Sequence, residues 1–206
     1  MNKRTVTVLN TIYDALFELL AEQTFEKITV MEICKQAKVN KMTFYKYHED
    51  KYEALARAFD NKFSNEFYKE FGNPDVLFYR NDPKLEENTY KAFRFISLWC
   101  VKYEKQIRNL ISTSNQLAYD VASNAMFNSY YSFIKNRMGK LVSQGTLQHL
   151  SSFIFGWFLA NIKLILNDLN ITKNKEQILD ENDKACRLLA RELIRITRDL
   201  VDGNLE

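Results

Sequence analysis

TVMEICKQAKVNKMTFYKYHEDKYEAL, residues 29–55, carries two short helices, the turn between them and the start of a longer helix in one unbroken run. Thr29 is followed three residues later by Glu32, a capping box in which each side chain satisfies an orphan backbone donor of the other, so a helix begins there. Val30, Ile33, Cys34 and Ala37 share one face at helical spacing, with Glu32, Lys35 and Gln36 opposite. After Lys38 and Val39, Asn40 is an N-cap for a second helix that opens with Lys41, Met42 and Thr43. The short gap is that of a helix-turn-helix. In this device the second helix enters the major groove with its N-terminal residues at the base edges, while the first crosses the backbone. Lys41 and Met42 stand where bases are read.

Charge points the same way. From Ile33 to His48 the chain holds Lys35, Lys38, Lys41 and Lys46 with no Asp or Glu, and phosphate neutralisation by such lysines supplies most non-specific DNA affinity. Hydroxyls of Thr29, Thr43 and Tyr45 are suited to phosphate oxygens. A solvated lysine face has the same composition, so charge alone does not decide the matter. The net charge is only +3, and residues 1–60 hold nine basic and nine acidic side chains. DNA affinity therefore depends on local placement rather than on a basic domain.

The order Thr29-Val30, Ile33, Ala37, Val39-Asn40, Thr43, Tyr45, Tyr47, Lys51 and Leu55 resembles the DNA-binding domain of the TetR family of transcriptional regulators, over roughly the first 60 residues. The resemblance implies that Thr29, Thr43, Tyr45 and Lys51 contact phosphates. It implies that Lys41, Met42 and Lys46 face bases or the flanking backbone, with Lys38 and Asn40 on the same DNA-binding surface. Two positions depart from the family pattern. Lys38 replaces the turn glycine, at a cost of about 1 kcal/mol if the residue is left-handed. His48 replaces a core Phe and reads as a packing or surface residue rather than a pH switch, with Phe44, Tyr47 and Tyr52 filling the space.

Five Gly and two Pro in 206 residues, 46% hydrophobic side chains and no alternating strand-like runs predict an all-α fold. Val8, Ile12, Ala15, Leu16, Leu19 and Leu20 make a supporting first helix, which Lys3 and Arg4 precede as a phosphate-reaching arm. A long helix from Lys51 ends at Gly72, Asn73 and Pro74, and a loop runs from Pro74 to Pro83. Helical patterns follow over 86–103, 104–112, 116–138, 146–168 and 182–201, for about nine helices in all. The expected organisation is a DNA-binding domain at 1–60 and an effector-binding and dimerisation domain at 61–206.

FIFGWFLANIKLIL, residues 153–166, is apolar on nearly every side. It is shorter than the roughly 20 residues a bilayer span needs, so no membrane association is expected. Burial on both sides suggests a second subunit. Gly156, Trp157, Ala160 and Leu164 here, with Leu189, Leu193, Ile196 and Leu200 near the C-terminus, are the expected homodimer interface, two helices per protomer by resemblance to the family. A dimer reads a palindromic operator with half-sites about 34–36 Å apart or a multiple.

The family resemblance also implies a small-molecule effector inside the C-terminal bundle, and ligand-relieved repression. Trp99, Tyr103, Phe127, Tyr130 and Phe158 are the candidate pocket residues, although aromatics at helical spacing equally make plain core. A branch of the family instead docks a protein and activates transcription, and a structural DNA-binding protein without effector is a further alternative. Catalysis is not expected: His48 and His149 are the only histidines, with no HExxH, phosphate loop or paired-carboxylate motif. Cys34, Cys100 and Cys186 lack disulfide or zinc spacing. No metal or cofactor is expected, and the absence of an apolar leader predicts a cytoplasmic protein.

Overall fold

Caps fix where the helices of this chain begin and end. In the computed structural model, which describes residues 3–72, 83–111, 116–138, 142–170 and 174–202, nine helices and no strand are found among the described residues. They are α1 (Lys3–Glu22), α2 (Val30–Ala37), α3 (Lys41–Tyr47), α4 (Lys51–Phe71), α5 (Leu85–Lys102), α6 (Glu104–Ile111), α7 (Gln116–Met138), α8 (Gln144–Asn170) and α9 (Lys175–Asp202). Lys3 and Arg4 are the exposed first turn of α1 rather than an arm preceding it. The α4 helix stops where Gly72, at φ 71°, turns left-handed. The loop expected from Pro74 to Pro83 lies outside the described residues except for Pro83.

The chain forms two compact units, Met1–Glu66 with Tyr103–Ser129, and Phe67–Lys102 with Tyr130–Glu206. The first takes in α6 and part of α7 as well as the first sixty residues. Its core is Ile12, Leu16, Leu20, Phe25, Ile28, Ile33, Phe44 and Leu55, each 0% exposed. Every such side chain contributes about 1.5–3 kcal/mol of burial. The α6 helix is tied to the end of α1 by side chains: Asn109 Nδ2 donates to Leu20 O (2.9 Å) and Gln106 Nε2 to Phe17 O (3.4 Å). Phe25 N donates in turn to Asn109 O at 3.4 Å. Leu20 O belongs to the carbonyls a helix end leaves unpaired, so Asn109 acts as a cap supplied from elsewhere in the chain.

In the second unit α5 and α9 pack along each other and α8 lies against both. Tyr90, Phe93, Ile154, Cys186 and Ala190 form its buried apolar cluster. Inside the same unit Ser97 Oγ donates to Asn182 Oδ1 (2.6 Å), Asn182 Nδ2 to Asn161 Oδ1 (2.7 Å) and Asn161 Nδ2 to Ser97 Oγ (3.3 Å). One side chain from each of three helices thus closes a hydrogen-bonded ring, which removes most of the penalty of burying amides. At the outer edge Tyr90 donates to Asp183, and the Arg187 guanidinium lies 3.7 Å over the Tyr90 ring.

The α8 helix is longer than its apolar stretch suggests. Leu147, Leu150 and Leu169 extend it, and Gln144–Leu169 is long and apolar enough to cross a membrane: an 18-residue window within it has mean hydropathy 1.4, with 39% of that window buried. The expectation that the segment is too short is corrected on that point. All three cysteines are free and buried.

Lys38 is the one non-glycine residue at positive φ among the described residues, at φ 54° and ψ 38°. It ends α2 in a Schellman arrangement, with Val39 N donating to Cys34 O at 3.0 Å. Its side chain is exposed, so Lys38→Gly removes strain and no packing. The variant is expected to raise unfolding free energy by about 1 kcal/mol in urea titration. An unchanged or lower midpoint would show that the turn is not strained.

Candidate nucleic-acid interface

Both helices of the turn unit start on side-chain caps. Thr29 Oγ1 accepts from Glu32 N (3.2 Å), while Thr29 N and its hydroxyl both donate to Glu32 Oε2 (2.8 and 2.7 Å). These bonds hold the Glu32 carboxyl below the usual range. Asn40 Oδ1 accepts from Thr43 N at 2.7 Å and starts α3. Phe44, 0% exposed, and His48, 3% exposed, anchor α3 to the core. The opposite face carries Lys41, Met42, Tyr45 and Lys46, all exposed. Tyr45 stands edge-on to Phe44, with ring centroids 5.4 Å apart, which braces its outward position.

Of the expected DNA contacts, Lys38, Asn40, Lys41, Met42, Tyr45 and Lys46 are exposed and Thr43 is half-buried. Lys35, Lys38, Lys41 and Lys46 form no ion pair among the described residues; Lys46 lies 5.5 Å from the Tyr47 ring centroid. Their charge is therefore available to an incoming polyanion. Thr29 is exposed, but its hydroxyl hydrogen is committed to Glu32.

Lys51 requires a correction. Its ammonium donates to Phe25 O (3.0 Å), Glu26 O (3.1 Å) and Ile28 O (2.8 Å), which uses all three of its hydrogens. It also lies 4.6 Å from the Phe25 ring centroid. Burial pushes its pKa below the ordinary lysine value, against the pull of Glu26 and Glu32. Lys51 ties the α1–α2 loop to the start of α4 and is not presented to phosphate. The N-terminus of α4 is capped by Asp50, whose Oδ1 accepts from Tyr52 N and Glu53 N at 2.8 Å each.

His48 fills the core position itself. Its ring sits 5.6 Å from Tyr13 and 5.4 Å from Phe44, and neither ring nitrogen has a hydrogen-bond partner among the described residues. Burial lowers its pKa below the ordinary 6.5, with Glu53 pulling it up and Arg57 pushing it down.

The other expected sites divide. Tyr103 and Phe127 belong to the first unit, whereas Trp99, Tyr130 and Phe158 belong to the second. Tyr103 donates to Glu66, meets Phe17 edge-on at 5.3 Å, and lines an open cleft of about 390 Å³ with Asp14, Glu18, Glu22, Lys62 and Gln106. Its role in a C-terminal pocket is corrected on that ground. Trp99 and Phe158 are core, at 2% and 6% exposure. Among the expected interface residues Trp157, Leu189 and Leu193 pack against the second unit's own core, and Ile196 is half-buried. Gly156, Ala160 and Leu164 are open to solvent, with Phe153 beside them on α8 and Leu188 exposed on α9. The Leu200 side chain lies outside the described residues.

Residues 12–58 match the family model for bacterial regulatory proteins, tetR family. No curated protein matches the sequence. The crystal structure of RolR without ligand is similar in fold, at 17% identity over 90% of this chain and 95% of that one, with a TM-score of 0.51.

Two consequences are measurable. Lys51→Met is expected to lower stability by about 2 kcal/mol and to weaken DNA binding without changing its salt slope. Lys41→Ala should leave stability unchanged and lower the slope by about 1. A reduced slope for Lys51→Met would restore it as a phosphate ligand. For His48, the unfolded chain takes up a proton near pH 6.5 that the folded core refuses, so stability is full above that pH and falls below it until the folded-state pKa is reached. The unfolding free energy from urea titration should drop on acidification, by at most about 1.4 kcal/mol per pH unit from this residue. His48→Phe should remove that share of the loss; an identical pH profile in the variant would rule the residue out.

Proposed function

We propose, on the premise that residues 12–58 of this chain are a TetR-family DNA-binding domain, that the protein is a sequence-specific transcriptional repressor acting as a homodimer in the cytoplasm. Residues 1–60 bind a palindromic operator, and residues 61–206 carry dimerisation and effector response. The observation that carries the reading is the outer face of α3, where Lys41, Met42, Tyr45 and Lys46 are exposed above the Phe44 and His48 anchors, with four lysines around the turn that form no ion pair among the described residues. Such a face supplies both phosphate neutralisation and base contacts.

The open stripe Phe153, Gly156, Ala160 and Leu164 on α8 supports a second copy as the covering partner. Phe153 and Leu164 are 68% and 61% exposed, and a Cβ built at Gly156 meets nothing within 4 Å, so close helix approach is open there. A bilayer is a poorer partner, because Lys163 is exposed on the same helix and a central lysine costs about 2.5–3.5 kcal/mol in lipid. A small-molecule effector would act in the second unit, where Tyr130, Phe155 and Phe158 succeed one another at centroid distances of 6.4 and 5.6 Å. It would release DNA by favouring the dimer state whose reading heads are mis-spaced.

The full chain, offered a random duplex pool, is expected to select a palindrome with half-sites about 34–36 Å apart or a multiple. Its preference over random DNA should exceed about 1,000-fold. Equal affinity for all duplexes would leave a structural DNA-binding protein instead. Gly156→Arg fits the isolated protomer, and is expected to elute as a monomer and to lose operator affinity. A monomeric variant with undiminished affinity would refute the dimer.

A further inference from the structure

Met42 is the most exposed large apolar side chain among the described residues, at 84%. It lies on the outer face of α3 between Lys41 and Lys46, with Tyr45 one turn further on. Its neighbours there all bring hydrogen-bond donors: two ammonium groups and a phenol. Met42 brings none, only a polarisable thioether on an unbranched stem.

A donorless side chain at a base edge discriminates in one way. Against the N7, O6 and amino groups of G, A and C it desolvates polar atoms and returns no hydrogen bond, which is unfavourable. Against thymine it meets the C5-methyl group, the one methyl on the major-groove edge of the four ordinary bases, where cytosine presents only a C5 hydrogen. Burying that methyl is worth about 0.8 kcal/mol, or about four-fold in affinity. The rigid attachment of α3 matters here, because Phe44 and His48 are buried on the opposite face and fix the backbone from which Met42 projects.

We infer that Met42 is a specificity-determining residue that reads a thymine methyl in each half-site, a reading that rests on the DNA-binding function proposed above. The chemistry extends to one modified base, since 5-methylcytosine carries the same methyl in the same place. A cytosine at that position is a poor substitute for thymine, and its methylation restores part of the loss.

The test uses the duplex that the full chain selects from a random pool, resynthesised with each half-site thymine replaced in turn by deoxyuridine, which removes the methyl and nothing else. Wild-type protein is expected to lose about four-fold per half-site at one thymine position. Met42→Ala, whose fold is undisturbed because the side chain is exposed, should bind the thymine and deoxyuridine duplexes equally there. If no thymine shows a methyl effect, or if Met42→Ala keeps the full effect, the inference is overturned while DNA binding stands. If the pool yields no selected sequence, the sequence-specific reading fails and this inference fails with it.

Discussion

A single ammonium group, Lys51 Nζ, sets the geometry on which the reading head depends. By collecting three carbonyls from residues 25–28 it fixes the loop from which Thr29 launches α2, and α2 in turn leads through the Lys38 turn to α3. A hydrocarbon side chain cannot do this, because buried carbonyls without donors cost free energy that apolar packing does not return. The charge costs desolvation as well, which appears as the depressed Lys51 pKa. Three charge-assisted bonds and the face of Phe25 offset that cost.

Around this support the chain separates rigid from receptive surface. Every residue that positions α3 is capped, bonded or buried, as with Asn40, Phe44 and His48, whereas the residues facing outward are bound to little else. That division is what a reader of DNA needs, since contacts held loosely at their base cannot discriminate between bases. His48 is the weak point of the support. A ring with two unpartnered nitrogens in an apolar cleft between Tyr13 and Phe44 is tolerated only while neutral.

Features encoded within four residues were legible in the sequence. The Thr29–Glu32 box, the Asn40 cap and the stop at Gly72 are local rules, and the helices α2, α3 and α4 follow them. The start of α9 was not legible, because its first turn is polar and the signal is a lone Asn174 whose Oδ1 accepts from Glu176 N. The role of Lys51 is not legible locally, because it sits in the charged run Glu49-Asp50-Lys51, where solvent is the default, and its partners lie 23 to 26 residues away. The docking of α6 on α1 through Asn109 spans 89 residues, and periodicity carries no information at that range. Of the expected pocket aromatics, Tyr103 fell to the same difficulty: its pattern is helical core, and the unit it joins is decided by Phe17 and Glu66.

The Ser97–Asn161–Asn182 ring has a mechanical consequence for the second unit. Apolar side chains tolerate sliding, since one methyl replaces another with little loss, but a directional ring has one register. Displacing α8 along α5 by a single helical turn, about 5.4 Å, would break both bonds of Asn161 together and strand its amide in the interior. Shear between these helices is therefore blocked at its first step, and α5, α8 and α9 are left to tilt as one block when anything binds them.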